Sequence, residues 1–98
     1  MRNARDTVDR SHIEATIKHL LVADLEADPK LIENAETQTP LLGRGIGLDS
    51  IEALRLALGL EKEYDIRVPD ADLTIELFSS LGALVDYVHA KILESEEG

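Results

Sequence analysis

The sequence lacks cysteine altogether, and it has few aromatic residues and no long apolar run. Without cysteine the chain has no disulfide framework, no thiolate metal site and no cysteine nucleophile. Aromatic residues make up only 3% of the chain, so a folded core must be built from aliphatic side chains. No apolar segment approaches the length of a membrane-spanning helix. The absence of cysteine fits a reducing compartment but does not establish one.

Basic residues are also scarce relative to acidic ones. Ten Lys and Arg stand against twenty Asp and Glu among 98 residues, which gives a formal net charge of -10. This charge repels nucleic-acid phosphates and anionic lipid, and it favours association with basic protein surfaces. The first ten residues lack the apolar region of a signal peptide. We therefore expect a cytoplasmic protein with protein partners and with neither nucleic-acid binding nor stable membrane binding.

Apolar residues recur at helical spacing near the N-terminus, which predicts a first helix over residues 11–26. Ser11 and Glu14 have the spacing of a capping box, with Ser11 as the N-cap. The Asp28-Pro29 pair predicts the end of this helix. Residues 28–48 then form a long connection whose glycines allow tight turns. The apolar residues expected to hold it to the core are Leu31, Ile32, Leu41, Leu42 and Ile46.

A second helix is predicted to begin at Asp49. The Asp49 side chain can cap the helix, and Glu52 three residues later can complete a capping box. Apolar residues occupy most of the circumference of this helix, which predicts a position in the middle of a bundle. The polar stripe is narrow and consists of Glu52, Arg55, Gly59 and Lys62.

The remaining pattern predicts two further helices. A short third helix is expected over residues 72–76, and Ser79 or Ser80 is expected to cap a fourth helix. The apolar residues of that helix are Leu81, Leu84, Val85, Val88 and Ile92. The predicted fold class is all-α, a four-helix bundle with a long loop between its first and second helices. We divide the chain into a flexible arm (1–10), one domain (11–94) and an acidic tail (95–98), and we expect a monomer.

The position of Ser50 indicates a site of covalent modification. It stands in the first turn of the second helix, where free N–H groups and the helix dipole favour an anionic substituent. The same position exposes its hydroxyl to a modifying enzyme. Asp49 can orient such an enzyme or its metal, or it can act as a cap alone. Ile51 is expected to turn inward and so to direct Ser50 outward.

The Asp49-Ser50-Ile51 triplet resembles the attachment site of acyl and peptidyl carrier proteins, in which such a triplet begins the second helix. The similarity covers residues 13–93 and includes the segments 39–42, 66–70 and 78–81. It implies the acyl carrier type of helical bundle. It also implies that a phosphopantetheinyl transferase attaches 4'-phosphopantetheine from coenzyme A to Ser50. The implied function is not catalytic: the protein carries acyl groups as thioesters to partner enzymes of lipid, polyketide or related biosynthesis.

The resemblance also implies a partner surface on the second helix, where this sequence departs from the fatty-acid carriers. Their surface is nearly all acidic, whereas this one contains Arg55 and Lys62. Because charge complementarity selects partners, we expect a specialised carrier rather than the housekeeping fatty-acid carrier. The residues expected to contact partner enzymes with basic docking patches are Asp49, Ile51, Glu52, Arg55, Glu61 and Lys62.

Three other functions are compatible with parts of this pattern. An unmodified acidic interaction module would use Ser50 only as a helix-start residue. A peptidyl or aminoacyl carrier would use the same triplet and arm for different cargo. A small enzyme is disfavoured because no catalytic residues occur at a suitable spacing. No metal site is expected, since the carboxylates do not match a calcium-binding loop and the histidines are scattered.

Overall fold

The computed structural model describes residues 9–97, and within them it contains helices joined by turns and no strand. The helices are α1 (Arg10–Ala23), α2 (Pro29–Glu33), α3 (Ser50–Tyr64), a 3-10 helix (Asp70–Asp72) and α4 (Leu81–Glu97). The α1 helix packs against α2, α3 and α4. The all-α bundle with a long first connection is therefore confirmed, and the predicted second helix is α3.

The core is aliphatic, as the low aromatic content predicts. Its largest fully buried side chains are Ile13, Ile17, Leu21, Leu41, Leu56, Leu60, Leu81, Leu84, Ile92 and Val88. All five apolar positions predicted for the last helix are buried in α4. The described residues include no buried polar or charged residue. Burial of aliphatic area is thus the main source of stability, at about 25 cal/mol per Å² removed from water.

The predicted limits of the first helix are wrong at both ends. The N-cap is Asp9 rather than Ser11, because Asp9 Oδ1 accepts the His12 N–H at 2.9 Å. The helix ends at Ala23, three residues before the predicted end. Beyond it, Glu26 adopts a left-handed conformation (φ 56°) and the Ala27 N–H donates to the Leu21 carbonyl at 2.9 Å. The left-handed residue and this hydrogen bond end the helix, so Pro29 is not what terminates it.

Pro29 begins a helix instead of only ending one. Asp28 Oδ1 accepts the Lys30 N–H at 2.9 Å, and proline is favoured at a first helical position because it needs no N–H partner there. The resulting helix α2 lies inside the predicted long connection. It buries Ile32 but leaves Leu31 53% exposed, so the expectation that Leu31 contacts the core is wrong.

The long connection is held against the start of α4 by backbone hydrogen bonds. The Gly82 N–H donates to the Thr37 carbonyl at 2.7 Å, and the Leu81 N–H donates to the Thr39 carbonyl at 2.8 Å. Leu41 is fully buried, while Leu42 and Ile46 pack partly buried against the core. Gly47 has a positive φ of 86°, which glycine adopts without strain. These contacts position the segment that leads into α3.

The third helix differs from its prediction in position and type. A 3-10 helix covers Asp70–Asp72, and turns rather than an α-helix follow it through residue 78. Ser80 provides the cap of α4, since its Oγ accepts the Ala83 N–H at 3.0 Å. Helix α4 continues through Glu97, so it includes most of the expected acidic tail. Of the predicted arm, only Asp9 and Arg10 lie among the described residues, and both belong to the start of α1.

Candidate functional site

Ser50 is the first residue of α3, and its side chain is exposed. The capping box predicted just before it is confirmed. Asp49 Oδ1 accepts the Glu52 N–H at 2.8 Å, and Glu52 Oε1 accepts the Asp49 N–H at 3.0 Å. These two bonds define where the helix begins, and therefore the direction in which Ser50 leaves it. Asp49 is thus a cap in the structure, whatever contacts it makes with other proteins.

An open cleft of about 390 Å³ lies beside Ser50. The long connection, the first turns of α3 and the segment after the 3-10 helix form its walls. Its lining is apolar apart from Ser50 and one threonine: Leu42, Leu48, Ser50, Ala53, Leu54, Leu73, Thr74, Ile75 and Phe78. A group attached to the Ser50 hydroxyl can therefore reach both solvent and an apolar cleft. The sequence contains no local motif for this cleft, because its walls come from three distant segments.

Ile51 does not turn inward. It is 70% exposed, because the buried face of α3 consists of Ala53, Leu56, Ala57, Leu60 and Tyr64. Leu54 and Leu58 are also exposed, so the helix is not buried around most of its circumference as predicted. Ile51, Leu54 and Leu58 follow helical spacing and form an exposed apolar row that begins beside Ser50. Such a row is suited to contact another protein.

Two residues predicted to contact partners make contacts within the chain. Arg55 Nη2 donates to the carbonyl of Asp24 at 3.2 Å, where α1 ends. Glu61 Oε2 accepts the Val68 N–H at 2.7 Å and so holds the chain that leaves α3. Lys62 lies exposed in the last turn of α3. Asp49, Glu52, Arg55 and Glu61 each make a side-chain hydrogen bond, so among the charged residues predicted to contact partners Lys62 is the one whose substitution changes the surface charge without removing such a bond within residues 9–97.

Residues 9–97 contain no group of three or more His, Asp or Glu side chains arranged to hold a metal ion. Over the same residues, none of the helices combines the length and the apolar character needed to cross a bilayer.

Comparison with known proteins places this geometry in a family. A family model described as the phosphopantetheine attachment site matches residues 15–88. An acyl carrier protein of Thermotoga maritima is 30% identical over 83 residues, which cover 85% of this chain and 95% of that protein. A Schizosaccharomyces pombe protein provisionally named a mitochondrial acyl carrier protein is 31% identical over 61 residues, which cover 62% of this chain and 49% of that protein.

The matched region defines a phosphopantetheine-binding carrier domain of helical type. The chain belongs to the acyl carrier protein family. The prosthetic group of this domain is phosphopantetheine, which is bound covalently. The residues around Ser50 fit such a group, because an exposed hydroxyl can form the phosphodiester and the adjoining cleft can receive an apolar chain.

Proposed function

We propose that Ser50 Oγ is the attachment atom of 4'-phosphopantetheine and that this protein carries acyl groups on that arm. The single observation that supports this proposal best is the exposed position of Ser50 at the start of α3 and at the mouth of the apolar cleft. When bound, the arm supplies the thiol that this cysteine-free chain lacks, and acyl groups attach to it as thioesters. The protein itself presents and shelters the cargo and catalyses no reaction.

The residues around Ser50 have separate tasks in this proposal. Asp49 and Glu52 hold the first turn of α3, so the hydroxyl is presented in one direction to the transferase. The N–H groups of the same turn favour the negative charge of the phosphodiester. The apolar cleft removes part of an acyl chain from water, which gains about 0.8 kcal/mol for each fully buried methylene group.

The proposed partners are the phosphopantetheinyl transferase and acyl-transferring enzymes with basic docking patches. The net charge of -10 accelerates encounter with such patches, and the exposed row of Ile51, Leu54 and Leu58 supplies apolar contact once the partner is close. Glu52 adds a negative charge and Lys62 a positive charge to this surface, and these charges contribute to the choice of partner. We extend the proposal to a cytoplasmic location and to a monomer, in which the exposed row of α3 is left for partner enzymes.

The attachment proposal is tested by the intact mass of the protein. The protein is incubated with coenzyme A, magnesium and a phosphopantetheinyl transferase of broad specificity, beside a Ser50→Ala variant. We expect a gain of one phosphopantetheine group in the original protein and none in the variant. A folded, initially unmodified sample that gains no mass would favour an unmodified acidic interaction module instead.

Charge on α3 is proposed to make this carrier specialised rather than the housekeeping fatty-acid carrier. Lys62→Glu should raise affinity for a fatty-acid synthase enzyme with a basic docking patch by about two- to fivefold, the range of an exposed ion pair. Arg55→Glu would also remove the hydrogen bond to Asp24, so Lys62 is the cleaner position. Lys30→Glu on α2 makes the same charge change away from α3 and serves as the control. Equal affinities for the two variants would contradict the specialisation.

A further inference from the structure

A cluster of three side chains ties the 3-10 helix to α4. The Tyr87 hydroxyl donates a hydrogen bond to Asp72 Oδ2. Lys91 Nζ lies 3.7 Å from the same carboxylate oxygen and 5.5 Å from the centre of the Tyr87 ring. The Asp72, Tyr87 and Lys91 side chains are each only partly exposed, and we refer to them together as the Asp72 anchor.

The anchor stands at one end of the outer wall of the cleft, which consists of residues 73–78. Leu73, Thr74 and Ile75 follow Asp72 directly and line the cleft beside Ser50. At the other end, Leu77 and Phe78 are buried, and the Phe78 carbonyl accepts the Leu41 N–H at 3.2 Å. Between these ends Ile75 is 74% exposed. The wall is thus a short segment that is held at both ends and exposed in its middle.

Of the two ends of the wall, the Asp72 anchor is the better candidate for controlling the position of the wall, because its contacts involve charged groups. A hydrogen bond to a carboxylate is stronger than a neutral one, and partial burial strengthens it further. Burial, together with the hydrogen bond and charge of Asp72, raises the pKa of Tyr87 well above its usual value. Tyr87 therefore remains a donor throughout the physiological range. Lys91 Nζ balances the carboxylate charge from the side of α4.

We propose that the Asp72 anchor sets the width of the cleft beside Ser50 and thereby limits the length of the acyl chain that the protein shelters. This inference rests on the proposed carrier function, since it assigns the cleft to the cargo. The wall segment cannot move away from α3 while Asp72 is bound to α4. Loss of one contact at the anchor frees the first half of the wall and widens the cleft, whereas the buried second half stays in place.

The anchor can be tested in the unmodified protein by amide hydrogen exchange. The Leu77 and Phe78 amides report on the first half of the wall, because their acceptors are the Thr74 and Ile75 carbonyls, at 3.1 and 3.2 Å, and these bonds break when that half moves. Tyr87→Phe removes only the hydroxyl, and we expect these amides to exchange about tenfold faster, as loss of a charge-assisted bond predicts. Lys91→Gln should act in the same direction. Asp86→Asn is the control: Asp86 precedes Tyr87 on α4, and the substitution removes the charge from its exposed contact with Arg10 of α1.

Chain-length selection is tested with the same variants carrying butyryl, octanoyl or dodecanoyl groups on the arm. The readout is the thioester lifetime in hydroxylamine, compared with that of a free acyl-pantetheine. We expect the Tyr87→Phe variant to extend the lifetime of a longer acyl thioester than the original protein can protect. The Asp86→Asn variant should protect the same chain lengths as the original protein. Identical length profiles in all three proteins would overturn the inference.

The two proposals fail in distinguishable ways. If Ser50 cannot be loaded at all, the carrier proposal fails, and the exchange rates of Leu77 and Phe78 still decide whether the anchor restrains the wall. If loading succeeds and Tyr87→Phe exchanges as slowly as Asp86→Asn, the anchor does not control the wall, and the carrier proposal is unaffected.

Discussion

Gly82→Ala should destabilise the protein even though alanine favours helices. A Cβ atom at Gly82 would overlap Thr37 Cγ2 and lie 3.1 Å from the Thr37 carbonyl oxygen. That carbonyl already accepts the Gly82 N–H at 2.7 Å, so the Thr37 side chain must rotate and the connection must shift slightly from α4 to admit the methyl group. This contact matters for the site, since the same connection leads to Asp49 and Ser50.

Two opposing contributions determine how much Gly82→Ala changes the free energy of unfolding. Overpacking costs about 1–3 kcal/mol, whereas replacing glycine by alanine in a helix gains at most about 1 kcal/mol. The net loss is about 1–2 kcal/mol, which lowers the Tm of a domain this small by about 5–15 °C. Gly59→Ala is the matched control, because its Cβ would lie 3.4 Å from Leu20 Cδ1, an ordinary contact. That variant should gain up to about 1 kcal/mol.

The assay is urea unfolding followed by far-ultraviolet circular dichroism, which suits a helical protein without tryptophan. A second variant, Thr37→Ala, removes the overlapping methyl group, so Gly82→Ala should cost less when combined with it. A Gly82→Ala protein as stable as the original, or as stabilised as Gly59→Ala, would refute the close approach of α4 to the connection.

Two further effects on stability follow from the structure. Asp49→Ala removes one half of the capping box before Ser50, and it should lower the free energy of unfolding by about 1 kcal/mol in the same urea titration; an unchanged midpoint would contradict the cap. Burial raises the pKa of both Tyr64 and Tyr87 in the folded protein, so their contribution is present below the ordinary tyrosine pKa of 10.0 and is lost as the pH rises above it. Tyr87→Phe should therefore reduce the fall in stability above that pH, and an equally steep fall in the variant would argue against the raised pKa of Tyr87.

The features that the sequence predicted correctly depend on local contacts or on long periodic patterns. The Asp49 capping box needs only four consecutive residues, and it placed Ser50 at the start of α3 as observed. The apolar pattern of α4 extends over several turns, and each of its five predicted core residues is buried. Hydrophobic periodicity over such a length leaves few alternative faces.

The features that the sequence did not predict depend on competing or distant partners. Two residues with side chains suited to capping, Asp9 and Ser11, lie two positions apart; the spacing of Ser11 and Glu14 favoured Ser11, whereas Asp9 is the cap in the structure. Ile51 has the hydrophobicity of a core residue, but its direction depends on which face of α3 meets α1. The contact of Glu61 with Val68 likewise requires the path of the chain after α3, which charge patterning does not describe.

The central claim, attachment at Ser50, is tested most directly by locating the modified residue in the loaded protein. The chain contains five serines: Ser11, Ser50, Ser79, Ser80 and Ser95. The protein is loaded from coenzyme A, digested, and each serine-containing peptide is sequenced by tandem mass spectrometry. The account predicts one phosphopantetheine group, carried by the peptide that contains Ser50 and by no other. A group on another serine, or an unmodified Ser50 peptide from a loaded sample, would contradict it.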